Sequence, residues 1–300
     1  MHFSTVLNRD GGTLRTTDLD AFSTRLCETL ERSGHTCSIA IVEGSEVEQA
    51  LEAAAAEDGV DVVMAGGGDG TVSTAAAILR NGDRALAVLP AGTMNLFARS
   101  LAIPLDLDAA VAALASGQVR SVDTATANGQ PFVHQFSIGM HAKMVRLRER
   151  MDFTSRLGKM RASAKAAYWT VLKPPRIRVS LEMGGTEILT TASNIGVTNN
   201  LFGEGHLPYA DDPDGGVLGI YVTVARQRGE VIRAAIKMAA GRWRNNDLVE
   251  IHQADRVRLK ILSRQREQMA VIDGELQRAD PETEIVIEPA SLKVLVPAQA

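Results

Sequence analysis

Val62-Val63-Met64-Ala65-Gly66-Gly67-Gly68-Asp69-Gly70-Thr71 is the stretch on which the fold turns. Asp61 to Ala65 reads as a buried strand, and it runs into four glycines, one acid and one hydroxyl. Such a run fills a core poorly, but it brings backbone N–H groups close to an anion, because glycine has no Cβ to hold the chain away. The following segment, Thr71 to Leu79, has helical character, and its N-terminus adds a favourable dipole at the same spot. The run is not a Walker A loop, which needs Gly-Lys-Ser/Thr, nor the dinucleotide fingerprint, whose acid lies about 20 residues further on. Its bland alternative is a tight strand-to-helix turn without a ligand.

Outward from this loop, the first half alternates strand and helix signals. Phe3 to Leu7 is an apolar strand with a turn at Asn8-Arg9-Asp10-Gly11-Gly12. Leu19, Phe22, Leu26 and Leu30 have helical spacing, and Gly34 stops that run. Ser38 to Val42 is a second strand, and Ser45 with Glu48 makes a capping-box pattern before an alanine-rich helix. Ala85 to Leu89 is a further strand, broken by Pro90. Repeated β-α units with continuous apolar strands predict a parallel sheet covered by helices. Ligands of such sheets bind at the carboxyl ends of the strands, where Gly67 and Gly92 fall.

After Val122 the rhythm changes. Phe132–Ile138, Ile177–Met183, Glu187–Val197, Val217–Val224, Val249–His252, Arg256–Leu262 and Met269–Ile272 read as strands, several with one polar face. Helical signals span Met140–Leu172 and Gly229–Ala240. The expected fold class is an α/β N-terminal domain with a parallel sheet (1–124) followed by a β-sandwich domain (125–280). The last strands, within 281–300, could join either domain.

Composition describes a globular chain: 300 residues, 45% hydrophobic and 23% charged, long enough for substantial cores. Cys27 and Cys37 lack metal-ligand spacing, the N-terminus does not read as a signal peptide, and no apolar run is long enough to span a bilayer. A cytoplasmic location is therefore the default expectation. Charge is segregated: residues 141–178 hold eleven Lys or Arg against Glu149 and Asp152, although the chain as a whole carries −4. Residues 226–244 hold six more against Glu230. Segregation of this kind suits an anionic partner, nucleic acid or a membrane surface, with solvated helix faces as the alternative.

Four further clusters carry chemistry. Pro90-Ala91-Gly92-Thr93-Met94-Asn95 sits at a strand end, with Gly92 for close approach and Thr93 and Asn95 as hydrogen-bonding groups at a helix start. Asn8 in the first turn is by itself an ordinary Asx-turn residue. Tyr209-Ala210-Asp211-Asp212-Pro213-Asp214-Gly215-Gly216 suits either a solvated loop or an oxygen-ligand Mg²⁺ or Ca²⁺ site. Ile272-Asp273-Gly274-Glu275 puts two carboxylates on a turn leaving a buried strand, where one could accept a hydroxyl proton in phosphoryl transfer. Asp-Gly is also a plain turn signal.

Gly67-Gly68-Asp69-Gly70-Thr71, Pro90-Ala91-Gly92-Thr93-Met94-Asn95, Asp123 and Ile272-Asp273-Gly274-Glu275, in this order and spacing, resemble the diacylglycerol kinase and sphingosine kinase superfamily, above all its short bacterial members. The resemblance implies a nucleotide-binding first domain and a sandwich second domain with a cleft between them. It implies that Gly67, Gly68, Asp69, Gly70, Thr71, Val72 and Ser73 hold ATP phosphates with Gly92, Thr93, Asn95 and Asn8. Asp69 and Asp123 would organise Mg²⁺, and Asp214, with Asp211 and Gly216, would form a second, structural metal site. Asp273 matches the catalytic base, with Asp69 and Glu275 beside it as the other catalytic carboxylates. Leu96 departs from the pattern, since many members have Asp there, and leucine cannot coordinate a cation.

The function expected on this likeness is ATP-dependent phosphorylation of a lipid hydroxyl, with diacylglycerol the first choice of acceptor. The basic stretches would then hold the enzyme at an anionic membrane surface rather than on nucleic acid, making it cytoplasmic and peripherally membrane-associated. Phe153, Leu157, Met160, Tyr168 and Trp169 would dip into the interface, and a homodimer is the assembly to be tested. The alternatives are an NAD kinase-like enzyme with a soluble substrate and a non-catalytic lipid- or nucleotide-sensing homologue.

Overall fold

The helical spacing of Phe22, Leu26 and Leu30 puts three apolar side chains on one face of α1 (Leu19–Arg32), and all three are buried. Asp18 starts this helix by accepting the Ala21 N–H at 3.1 Å, a cap that stabilises by about 1 kcal/mol. The same logic builds α2 (Val47–Ala56), α3 (Asp69–Leu79) and α5 (Leu107–Ala115), which bury Leu51, Ala76 and Val111 among others. α1 packs with α5 and α2 with α3. The turn before α2 is capped by Glu43 and Glu46 rather than by Ser45 and Glu48, because a 3₁₀ turn over Gly44–Glu46 precedes the helix.

The computed structural model describes residues 1–149, 165–203, 207–225, 227–239, 246–263 and 268–298. They form two units: Met1–Thr124 with Asp212–Gly215 and Glu288–Ala300, and Ala125–Asp211 with Gly216–Ile287. The loop 212–215, expected in the second domain, thus belongs to the first, and the terminal return begins at Glu288 rather than at 281.

In the first unit, parallel strands β1 (His2–Asn8), β2 (Thr36–Val42), β3 (Val62–Gly67) and β4 (Ala85–Pro90) lie in the order β2-β1-β3-β4. β3 and β4 are buried at every position, as strands covered on both faces must be, while the edge strand β2 is partly exposed. Beyond β4 lies the end of the last strand, whose Val294 pairs with Leu86 in parallel.

The second unit packs two sheets face to face. One has the order β12 (Val249–Ala254), β11 (Leu218–Thr223), β10 (Asn194–Asn199), β7 (Gln135–Gly139), β14 (Met269–Ile272), β15 (Glu275–Arg278). The other contains β13 (Arg256–Ile261), β8 (Ile177–Met183) and β9 (Thr186–Ala192), all antiparallel, with β13 also paired to the first part of β16 (Glu282–Val296). Phe136, Ile195 and Ile220 of one sheet meet Val179, Leu259 and Ile285 of the other in a common core.

Several strands differ from their sequence-based outlines. The run Phe132–Ile138 divides into β6 (Gln130–Phe132) and β7, because Val133 and His134 turn their N–H groups to the Asp273 carboxylate. Glu187–Val197 divides at Ser193, whose N–H bonds Thr223 O. The two terminal runs join into β16, bent at Ala290, where φ is 52°. A strand not anticipated, β5 (Gln118–Ala127), carries Asp123. The expected Met140–Leu172 helix gives α6 (Met140–Glu149) and helical residues 165–172 (α7), with 150–164 outside the described residues. α4 (Leu96–Ser100) and α8 (Arg228–Ala239) complete the set.

Leu292, Val294 and Leu295 of β16 are fully buried. Leu292→Ala should therefore cost about 2–5 kcal/mol in urea unfolding. A loss under about 1 kcal/mol would exclude this strand from the core of the first unit.

Candidate active site

From β1 the chain moves to β2 on one side and returns to β3 on the other, so a crevice opens at the carboxyl ends of β1 and β3. Asn8 ends β1: its Oδ1 accepts the Asp10 N–H (3.0 Å) and its Nδ2 donates to Thr71 Oγ1 (3.1 Å). It is thus an Asx-turn residue that also ties the first turn to α3. Asp10 in turn accepts the Gly44 N–H at 2.8 Å, joining the end of β2.

The two glycine-bearing loops meet main chain to main chain. Ala91 N–H donates to Gly67 O (2.9 Å) and Thr13 N–H to Ala91 O (2.8 Å). A Cβ on Gly92 would stand 2.8 Å from Gly68 Cα, and one on Gly12 would stand 2.1 Å from Ala91 O. Both are closer than real Cβ contacts, so these positions require glycine. Gly68 precedes α3, leaving the N–H groups of Asp69, Gly70 and Thr71 at the helix start without intrahelical acceptors. Val72 is different: its side chain is buried in the core and its N–H bonds Gly68 O at 3.1 Å. Thr93 is exposed, Thr71 is buried, and Ser73 forms part of α3.

Asp69 spans these loops. Its carboxylate accepts the N–H groups of Asn95 (3.1 Å) and Leu96 (2.7 Å), holding the start of α4. Leu96 thus meets Asp69 through its amide, and the side chain that departs from the family pattern takes no part in this contact. Asn95 is left-handed (φ 51°), which asparagine tolerates, and it closes its loop by accepting Gly92 N–H at 2.8 Å.

The remaining acids have definite partners. Asp123 is buried, accepts Ala290 N–H at 2.8 Å and donates its own N–H to Pro213 O. It thereby holds the bend of β16. Asp214 forms a two-point ion pair with Arg120, which also lies 3.7 Å from Asp212. The guanidinium holds the Asp214 carboxyl below its usual range, while the hydrogen bond to Asp214 pushes Asp212 up. Arg120 thus already supplies a cation to Asp214; Asp211 and Gly216 belong to the second unit. Among the described residues, no group of three or more His, Cys, Asp or Glu is placed to hold a metal ion.

In the second unit, Asp273 and Gly274 form a two-residue hairpin turn between β14 and β15, both with positive φ (45° and 95°). The Asp273 carboxylate accepts three N–H groups, from Val133, His134 and Gln135, each at 2.9 Å. Asp273 N–H returns to Gln135 O. These donors compensate a negative charge and fix its direction. Glu275 is exposed at the start of β15.

His141, missed as a site residue because sequence shows it only as the edge of a basic stretch, stands at the other end of β7. Its Nδ1 lies 2.6 Å from Ser137 Oγ and 3.3 Å from Gln135 Nε2. Burial pushes its pKa down from 6.5 to about 4, with the positive charges of His134 and Arg148 acting in the same sense.

Two family models match the chain: the diacylglycerol kinase catalytic domain over residues 2–127 and the YegS C-terminal NAD kinase beta sandwich-like domain over residues 135–296. The chain therefore belongs to the DAGK/YegS family, in which these two domains follow one another. An uncharacterized protein of Synechocystis sp. is 28% identical over 252 residues, 81% of this chain and 56% of that protein. A Pseudomonas aeruginosa protein named "Probable lipid kinase YegS-like" is 40% identical over 100 residues, 33% of this chain and 31% of its own length. The chain thus spans little more than half of the first relative and about a third of the second. A crystal structure of a diacylglycerol kinase from Bacillus anthracis str. Sterne shares the fold, with TM-score 0.71 and 18% identity over 98% of this chain and 96% of that one.

Gly92→Ala should force the two loops apart and weaken nucleotide binding at least about tenfold by calorimetry. Gly68→Ala, whose Cβ would meet Gly92 Cα at an ordinary 3.6 Å, should keep the wild-type melting temperature and lose ATP affinity only if phosphates approach there. Undiminished ATP affinity in both variants would remove these loops from the nucleotide site.

His141 also sets a pH dependence. Between its folded value of about 4 and 6.5 the unfolded chain binds the extra proton, so its contribution is complete above 6.5 and lost as pH falls toward 4. Wild-type protein should lose about 2 kcal/mol more than His141→Gln between pH 7.5 and 5 in urea unfolding. Equal losses would show that the imidazole is not the source.

Proposed function

We propose that the protein transfers the γ-phosphoryl group of ATP to the hydroxyl of a lipid, with diacylglycerol as acceptor. The observation that carries this reading is the close backbone approach of Gly68 and Gly92 at the carboxyl ends of β3 and β4, beside the switch point of the parallel sheet, in a chain of the DAGK/YegS family. An anion at that point meets helix-start amides and the helix dipole. Gly67–Ser73 with Thr93 and Asn8 would line the phosphates, Val72 by its backbone position alone.

The residues present fit a Mg²⁺ carried largely by the nucleotide. Such an ion usually takes one or two carboxylates and keeps waters and phosphate oxygens for the rest. Asp69 commits two lone pairs to amides, and an ionised carboxylate has about four. Asp69 and, as a second acid, Asp123 would supply that contact, and the bound ion would neutralise charge on the β- and γ-phosphates. In the 211–216 loop Asp214 pairs with Arg120, and a structural cation there would share that carboxylate.

Asp273 would orient the acceptor hydroxyl and take its proton. A carboxylate held by three amides cannot swing, which favours positioning, the main requirement of phosphoryl transfer. Glu275, exposed beside it, is an auxiliary in this reading.

A lipid acceptor requires contact with its membrane. No helix among the described residues is long and apolar enough to cross one. Exposed Tyr168 and Trp169 on α7, and Ile232 and Ile236 one turn apart on α8, are side chains suited to an interfacial position. Arg233 and Lys237 flank them but pair with Asp247, which reduces the net charge of α8. Free basic residues near an anionic surface are each worth about 1 kcal/mol. Phe153, Leu157 and Met160 lie outside the described residues.

Incubation with labelled ATP and either anionic vesicles carrying diacylglycerol or NAD tests the reading. Label is expected in the lipid, and label in NAD alone would overturn it. Asp273→Asn should lower kcat at least about 100-fold while ATP affinity stays within error of wild type. Retained turnover would remove Asp273 from its role.

A further inference from the structure

We infer that His141 recognises the acceptor through an Nε2–H donor directed at a neutral oxygen, so that the enzyme selects glycerolipid alcohols over amino alcohols. This rests on the lipid kinase reading and deepens it.

The tautomer follows from the partners. Ser137 Oγ, buried on β7, and Gln135 Nε2 both lie within hydrogen-bond reach of His141 Nδ1. An amide NH₂ group only donates and a hydroxyl can donate, so Nδ1 is the acceptor and the ring proton sits on Nε2. Among the described residues Nε2 makes no hydrogen bond, and His141 is half-buried rather than sealed, so this N–H is available to a ligand. Its ring is held from behind, since the His141 N–H bonds Asn194 Oδ1 at 3.0 Å.

Gln135 joins this donor to the candidate base. Its backbone N–H bonds the Asp273 carboxylate and its side-chain amide reaches His141. One residue therefore sets both the group that would receive a hydroxyl proton and the group that would bind a neighbouring oxygen. His141 lies in the first turn of α6, at the positive end of that helix, which disfavours an ammonium group at its ring. An N–H donor here welcomes an ester carbonyl or a glycerol oxygen and repels a protonated amine.

The test compares 1,2-dioleoylglycerol with sphinganine in mixed micelles, using wild type, His141→Leu and His141→Gln. Wild type should favour dioleoylglycerol at least about tenfold in kcat/KM. His141→Leu should raise the KM for dioleoylglycerol about tenfold and leave the KM for ATP within about twofold; His141→Gln, which keeps a side-chain N–H, should recover most of the loss. Imidazole ¹⁵N spectra of wild type should show the Nε2–H tautomer, with a resonance that shifts on adding dioleoylglycerol. An unchanged KM in His141→Leu, a preference for sphinganine, or an Nδ1–H tautomer would each overturn the inference while leaving the kinase reading intact. Failure to phosphorylate either lipid would overturn both. If the leucine variant does not fold, the tautomer and the ligand-induced shift decide.

Discussion

The contact between Gly68 and Gly92, backbone against backbone, is the constraint on which the first unit depends. A side chain at Gly92 would collide with Gly68 Cα and with the Asn95 amide that closes the loop. Because neither loop carries a Cβ there, β3 and β4 can deliver their ends to one point. The Asp69 carboxylate then fastens the start of α4 across the junction. Packing of this kind leaves amides, rather than side chains, as the lining, and an anion is the ligand that amides recognise.

A similar economy governs the second unit. Asp273 is at once a turn residue, the anchor of residues 133–135 and the candidate base. These assignments are compatible because they use different parts of it: its positive φ makes the hairpin, its oxygens gather three amides, and the resulting rigidity aims the carboxylate. Its anchoring also explains why the strand outlined over Phe132–Ile138 is broken, since three of its N–H groups are diverted to Asp273.

How far the site was legible differs residue by residue. Gly67, Gly68 and Gly92 announce themselves, because consecutive glycines after an apolar strand have few other uses. Asn95 was readable as a polar group at a helix start, but its left-handed backbone and its bond to Gly92 depend on how the loop closes. Asp123 has no local signal: its role at the bend of β16 joins residues 123 and 290, far apart in sequence. His141 looked like one member of a basic run, and only the neighbouring Ser137 and Gln135 side chains define its tautomer. Asp214 read equally as a loop acid or a metal ligand, and no local pattern announces the approach of Arg120 from β5.

By itself the sequence determined the class of architecture, the two glycine-bearing loops and the family, since these follow from period, glycine placement and motif spacing within short stretches. Tertiary structure alone decided which carboxylates are engaged by amides, which is paired with arginine, and which imidazole nitrogen meets Ser137 and Gln135. Those outcomes hinge on hydrogen-bond partners contributed by distant segments, and no local pattern encodes the arrival of a partner.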